Sequence, residues 1–285
     1  PHTKLITSLE IMKLVKFRPI RSIYRRKVLS FLASILVFTL VTALFFKLTS
    51  QPVEAAWYSD SWSYRKKLVV NEAQVAGTAN FTNFPVLVSY VDIDLAKKAQ
   101  SDGDDILFTD ATGTKLDHEI EKFDSTSGQL VAWVEVPTLY YNINTPLYLY
   151  YGNSTTSSQQ DATNVWDSNY VMVQHMKDTT TSTITDSKGT NNGTKKGANE
   201  PIEATGKIGK AQSFDGTNDY VDLGTTWAPL NTGNPYTVSL WAYWPTTQTY
   251  PVLLHLRSDG DAVSFYFATA EGGNYKGILF GSPST

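Results

Sequence analysis

The stretch "EIEKFD" carries the spacing closest to acid–base chemistry, because Glu119 and Glu121 stand two residues apart. On a strand, residues two apart share a face. Two carboxylates flanking one bond perform the acid and base, or acid and nucleophile, steps of glycoside hydrolysis. The same pair also reads as the polar, solvent-facing edge of a sheet, and this plainer reading is preferred. His2, His118, His175 and His255 are scattered, with no second His at metal spacing, so each reads as an ordinary polar residue. "GKIGKA" lacks the upstream Gly and the hydroxyl residue of a phosphate loop, and no Gly-x-Ser-x-Gly elbow occurs.

Two acidic loops remain, "SDGDD" from Ser101 to Asp105 and "DGTND" from Asp215 to Asp219. Calcium takes six to eight oxygens, and each loop could supply a part of such a shell, although neither follows EF-hand spacing. Asp215, Asn218 and Asp219 are the candidate ligands. The same residues suit a tight turn, since Gly216 and Asn218 tolerate positive φ and Asp side chains cap local amides. The turn is the first expectation and the ion the second.

Flat aromatic faces beside polar groups suit sugars. In "YTVSLWAYWP", alternation places Val238, Leu240 and Ala242 on one side and Ser239, Trp241 and Tyr243 on the other. With the aliphatic set in the core, Trp241, Tyr243 and Tyr266 of "SFYFAT" become candidates for a ligand face. The competing reading packs these aromatics under loops, as large rings commonly are.

Strands must position these groups. "WSYRKKLVV", "FPVLVSY", "DILFTD", "QLVAWVEVP" and "TPLYLYYGN" each have period two, β-branched or aromatic enrichment and turn residues at their edges. "DIDLAKKAQ" is the one helical candidate, capped by Asp92 or Asp94. Residues 154–165 are Ser/Thr/Gln-rich and predict a linker. Strand patterns resume in "YVMVQHM", "KAQSF", "YVDLG", "YTVSLWAYW", "PVLLHL" and "AVSFYFAT". The expected fold class is all-β, with two β-sandwich, jelly-roll-like domains over residues 57–153 and 166–285 preceded by one hydrophobic helix.

That helix belongs to the N-terminal region. Residues 1–27 are basic, and Met12, opening "MKLVKFRPIRSIYRRK", reads as the start. Residues 28–56 hold the apolar run "VLSFLASILVFTLVTALFF" and the small residues Val53 and Ala55. This order predicts a secretory signal cleaved after Ala55, while the run, longer than the roughly 7–15 residues of a signal core, keeps an uncleaved membrane anchor open. Arg25-Arg26 faintly resembles a twin-arginine signal. Everything beyond is expected outside the cell. The first 56 residues hold 9 of the 24 Lys/Arg and 2 of the 27 Asp/Glu, so the remainder carries about −10. Nucleic acid is disfavoured as a partner. No cysteine is present, which removes disulfides, thiolate metal sites and a Cys nucleophile.

The blocks "WSYRKKLVV", "FPVLVSY", "DGDDILFTDATGTKLDHEIEKFD", "LVAWVEVP" and "LYLYYGN" together resemble a secreted prokaryotic family, domain of unknown function 2341, over residues 57–153. "DSKGTNNGT", "GKIGKAQSFDGTNDYVDLG" and "YTVSLWAYWP" resemble a concanavalin A-like lectin/glucanase domain of laminin G-like type over residues 166–285, which ends before its last strands. That resemblance implies a jelly roll, a carbohydrate or cell-surface ligand, and calcium near the rim.

The sequence thus predicts a secreted or surface-anchored protein with a non-catalytic lectin-like module. The membrane enters only through the N-terminal segment. A structural or adhesive surface protein is the alternative, and a glycoside hydrolase fragment the second.

Overall fold

The computed structural model describes residues 20–49, 57–179, 182–197, 200–224, 235–243, 252–257, 264–269 and 276–281. The chain forms two units, residues 1–54 and 55–285. In the first, α1 (Ile20–Thr49) is a single helix. From Val28 to Val41 its exposed side chains are mainly apolar, Phe31, Leu36, Phe38 and Val41 among them. Ser34, Thr39 and Thr42 turn their hydroxyls back onto carbonyls of the preceding turn, so they add little polarity to the surface. Among the described residues no helix is long and apolar enough to cross a membrane.

The second unit is rich in β-structure, as its alternating sequence predicts. Its first part holds β1 (Tyr64–Val70), β2 (Phe81–Val91), α2 (Ile93–Lys98), β3 (Leu107–Thr109), β4 (Lys115–Leu116), β5 (His118–Asp124), β6 (Gln129–Leu139) and β7 (Thr145–Tyr151). One sheet has the order β1-β7-β3-β4 and the other β2-β6-β5, and every pairing is antiparallel. The sheets face each other across one core. Leu130, Ala132, Val134 and Val136, the alternate residues of β6, meet Phe108, Leu147, Leu149 and Tyr151 of the opposing sheet. The outer face of the first sheet is closed by Trp62, whose indole nitrogen donates to the Asp105 carbonyl at 2.7 Å, packed with Leu107, Tyr148 and Tyr150.

Local chemistry sets the connections. Asp92 caps α2, accepting the Asp94 N–H at 2.8 Å. Asp124 accepts the Thr126 N–H in the β5–β6 turn, and Gly128 closes it at φ 72°. A Cβ on Gly128 would sit 1.8 Å from the Asp92 carbonyl oxygen, so glycine is required there on steric grounds as well.

Beyond Tyr151 the Ser/Thr/Gln stretch runs along the outer edge of β5: Asp161 N–H donates to the His118 carbonyl, and Gln160 accepts the Ile120 N–H. The edge strand is thereby covered. Then come α3 (Ala162–Val165), β8 (Thr183–Ile184), β9 (Gly193–Lys196), β10 (Ile202–Thr205), β11 (Lys210–Ser213), β12 (Tyr220–Asp222), β13 (Val252–Arg257), β14 (Ser264–Thr269) and β15 (Lys276–Gly281). They form three small sheets, β12-β9-β8, β10-β11 and β13-β14-β15.

Two expected strands differ. "YVMVQHM" contributes only the bridge from Gln174 to Asp186, because its side chains and backbone are engaged by the neighbouring loop. Residues 235–243 carry no strand. Leu240 is exposed together with Trp241 and Tyr243, so the aliphatic set of that segment does not fill a core: alternation sorts side chains only when a sheet supplies two distinct faces.

Candidate functional site

β5 is buried on both faces, and this corrects the expectation of a solvent-facing edge. His118 and Ile120 point into the sandwich, while Glu119 and Glu121, 4% and 7% exposed, point outward yet are covered. The cover comes from Trp166, His175, Lys177 and Ser187, which meet the outer face of β5 and β6.

His175 stands between the two carboxylates. Its Nε2 is 3.0 Å from Glu119 Oε2 and its Nδ1 is 3.3 Å from Glu121 Oε2. The Nε2 contact is a hydrogen bond, and the Nδ1 contact is at ion-pair distance when the ring carries its second proton. Glu119 also accepts from Ser187 Oγ at 2.8 Å, Trp166 Nε1 at 3.3 Å and Lys177 Nζ at 3.3 Å. Glu121 accepts from Trp133 Nε1 at 2.8 Å. The indoles of Trp133 and Trp166 lie 5.2 Å apart and wall the imidazole at 6.3 and 5.9 Å. On the remaining side the β10–β11 turn seats Gly209 against Glu121, where a Cβ would come within 2.4 Å of Oε1.

Burial pushes the Glu119 carboxyl up, but the hydrogen bond and charge of His175, the charge of Lys177 and the Ser187 hydroxyl outweigh it and hold it at about 2. On the opposite face of the same strand His118 is enclosed, packed edge-on against Phe108, and neither ring nitrogen has a hydrogen bond of good geometry. Burial drives its pKa down to about 4, and the nearby backbone of Leu116 and Ile106 offsets only part of that. His118 and His175, expected as ordinary polar residues, are thus both enclosed.

The arrangement is a buried ionic clasp. A glycosidase places a sugar between its two carboxylates; here the imidazole fills that space and the indoles close it. Ser187 donates to Glu119 rather than to His175, so no serine–imidazole dyad is formed. Among the described residues no group of three or more His, Cys, Asp or Glu has the geometry to hold a metal ion.

The remaining sequence candidates lie elsewhere and are not brought together with this cluster. Asp105 of the first acidic loop is wholly buried and organises backbone: its carboxylate accepts the N–H groups of Gln100, Gly152 and Asn153 at 2.9, 2.6 and 3.0 Å. In the second loop Asp215 Oδ1 accepts from Thr217 N–H, Asp219 Oδ2 accepts from Asp215 N–H, and Gly216 has φ 76°. These are turn contacts. Asp219 Oδ1 alone is buried without a partner. Trp241 and Tyr243 are 72% and 95% exposed, and the Lys207 ammonium lies 5.7 Å from the centre of the Trp241 ring. Tyr266 sits in β14, paired with His255 and Leu279, and its side chain lies outside the described residues.

Residues 102–193 match the family model of a domain of unknown function (DUF2341). The matched stretch contains every member of the clasp: Glu119, Glu121, Trp133, Trp166, His175, Lys177 and Ser187. No curated protein matches the chain, and no solved structure does. Sequence reasoning singled out the two glutamates of the clasp and missed the roles of Trp133, Trp166, His175, Lys177 and Ser187. The available signal was the aromatic and ionisable content of "VWDSNYVMVQHMK" beside a long polar passage.

Proposed function

We propose that the chain is an exported surface protein whose C-terminal half binds glycans without cleaving them. The observation that carries this reading is the pair of exposed rings Trp241 and Tyr243, with the Lys207 ammonium beside the first of them. Rings open to solvent offer a stacking face, and a cation beside them offers a donor to sugar hydroxyls or acids. Support for the non-catalytic part comes from Glu119 and Glu121, the spaced carboxylates of the sequence, which spend their lone pairs inside the clasp. Export is supported by the apolar run from Val28 to Phe46 behind Arg25-Arg26-Lys27, the order of a secretory signal. Calcium at Asp215, Asn218 and Asp219 is part of the reading, since the orphan Oδ1 of Asp219 is free to take a cation.

The test is a glycan array probed with the full chain, followed by titration of Trp241→Ala and Tyr243→Ala. Loss of binding with an unchanged melting temperature is expected. Binding that survives both substitutions, or release of reducing sugar from a bound glycan, overturns the reading.

A further inference from the structure

We propose that Asn80, in the triplet Asn80-Phe81-Thr82, is a site of covalent N-glycosylation. Three triplets of the Asn-x-Ser/Thr kind occur among the residues, at Asn80, Asn153 and Asn192, and the fold separates them. Asn80, Phe81 and Thr82 are all exposed. The Asn80 carboxamide oxygen accepts the Tyr141 N–H at 3.3 Å, and its nitrogen, the nucleophile of the modification, has no hydrogen-bond partner among the described residues. Phe81 opens β2, an edge strand with β6 on one side only, so a transferase can grasp this backbone from its open side.

In the other two triplets the side-chain nitrogen is equally without a hydrogen-bond partner among the described residues, but the backbone around it is tied down. Asn153 donates its backbone N–H to the buried Asp105 carboxylate, its carbonyl accepts from Gln100, and its side-chain oxygen is taken by Thr155. Asn192 gives its side-chain oxygen to the Asp186 N–H at 2.8 Å. Gly193 and Thr194, which complete that triplet, lie in β9, paired on both sides by β8 and β12. A Cβ on Gly193 would fall 2.6 Å from Val221, which shows how closely this strand is packed.

A second observation points to the same place. The rings of Phe81 and Phe84 touch at 5.4 Å, and both are exposed, as are Leu87 and Val91 further along β2. A long apolar edge strand is a template for unwanted pairing. A bulky, soluble glycan on the residue that precedes this edge shields it.

The chemistry requires a lipid-linked oligosaccharide as donor. The Asn80 amide nitrogen forms a bond to the anomeric carbon while the bond from that carbon to the donor's phosphate oxygen breaks. The phosphate leaves with the electron pair, and the amide proton passes to a base of the transferase. The inference rests on the export reading, because such donors face the non-cytoplasmic side of the membrane.

The experiment uses the purified full chain in detergent with an oligosaccharyltransferase and its lipid-linked donor, and maps the products by peptide mass spectrometry. The folded chain is expected to carry glycan on the Asn80 peptide alone. Asn80→Gln and Thr82→Ala should each abolish it, whereas Asn153→Gln and Asn192→Gln should leave it. In the heat-unfolded chain all three peptides should be modified. An unmodified Asn80 peptide, or modification of Asn153 or Asn192 in the folded chain, overturns the proposal. Transfer to a purified chain does not depend on export. A chain that accepts glycan at Asn80 in this assay yet stays cytosolic on cell fractionation supports the site and sinks the export reading alone.

Discussion

The imidazole of His175 meets the carboxylate of Glu119 at 3.0 Å across 56 residues of sequence. The contact joins β5 to a segment that begins beyond the Ser/Thr/Gln stretch, so this stretch does not act as a free tether in the folded chain. A charge pair with both side chains more than nine-tenths buried must be matched on every remaining lone pair, and Ser187, Trp166 and Lys177 do so for Glu119.

Removing one partner leaves the other charge buried without compensation. His175→Ala is expected to destabilise the full chain by about 3–5 kcal/mol in a urea titration. Glu119→Ala should be similarly damaging, and the double variant should cost less than the two together, with a coupling of roughly 0.5–3 kcal/mol. Additive effects would show that the 3.0 Å contact contributes nothing of its own.

Acid should loosen the fold in two stages, both with the same sign. His118 has an unfolded value of 6.5 and a folded value of about 4, so the unfolded chain binds the proton more readily and stability is lost as pH falls from 6.5 towards 4. The full loss is on the order of 3 kcal/mol. Glu119, unfolded 4.5 and folded about 2, contributes stability that is present above 4.5 and lost as pH falls towards 2. Burial raises the carboxyls of Asp117 and Glu135, which titrate in the opposite sense. Comparing wild type with His118→Leu cancels their contribution. The variant should lose the decline between pH 6.5 and 4.5 and be as stable as wild type or more so at pH 7, because two unpartnered ring nitrogens are removed. Identical pH profiles for the two proteins would exclude His118 as the upper titrating group.

Asp105 should be the most sensitive residue of its loop. Asp105→Ala strips the partner from three backbone N–H groups around Gln100, Gly152 and Asn153, each costing about 1–3 kcal/mol when left unsatisfied in the interior. Asp104→Ala, next to it, should change stability by less than about 0.5 kcal/mol. Chemical denaturation of both variants checks the contrast.

Much of the two facing sheets was legible because their strands alternate cleanly: β6 sends Leu130, Ala132, Val134 and Val136 inward, and Asp92 caps α2 where its sequence predicts. The clasp was not legible, since alternation tells that Glu119 and Glu121 share a face but not what covers it. Coverage came from residues more than 40 positions away, a tertiary fact with no local period. His118 was obscured for a related reason, because a polar residue at an inward position looks the same in sequence whether or not a partner meets it. In residues 235–243 the alternation was real, yet without a paired strand it has no two faces to sort.

The DGTND turn offers the last prediction. Asp215 and Asp219 spend one oxygen each on backbone N–H groups of their own loop, which a turn needs whether or not an ion is present. Asp219 Oδ1 is different, because a buried carboxylate oxygen with no partner costs free energy unless a cation or water meets it. Calcium that binds only the folded chain, at a hundred times its dissociation constant, adds about 2.7 kcal/mol of stability. The melting temperature of the full chain should therefore rise with millimolar-range calcium, and more with calcium than with magnesium, which demands a stricter octahedral shell. Asp219→Ala should abolish the rise, whereas Asp222→Ala, in the next strand, should preserve it. A melting temperature indifferent to calcium leaves DGTND as a turn and assigns the orphan oxygen of Asp219 to solvent.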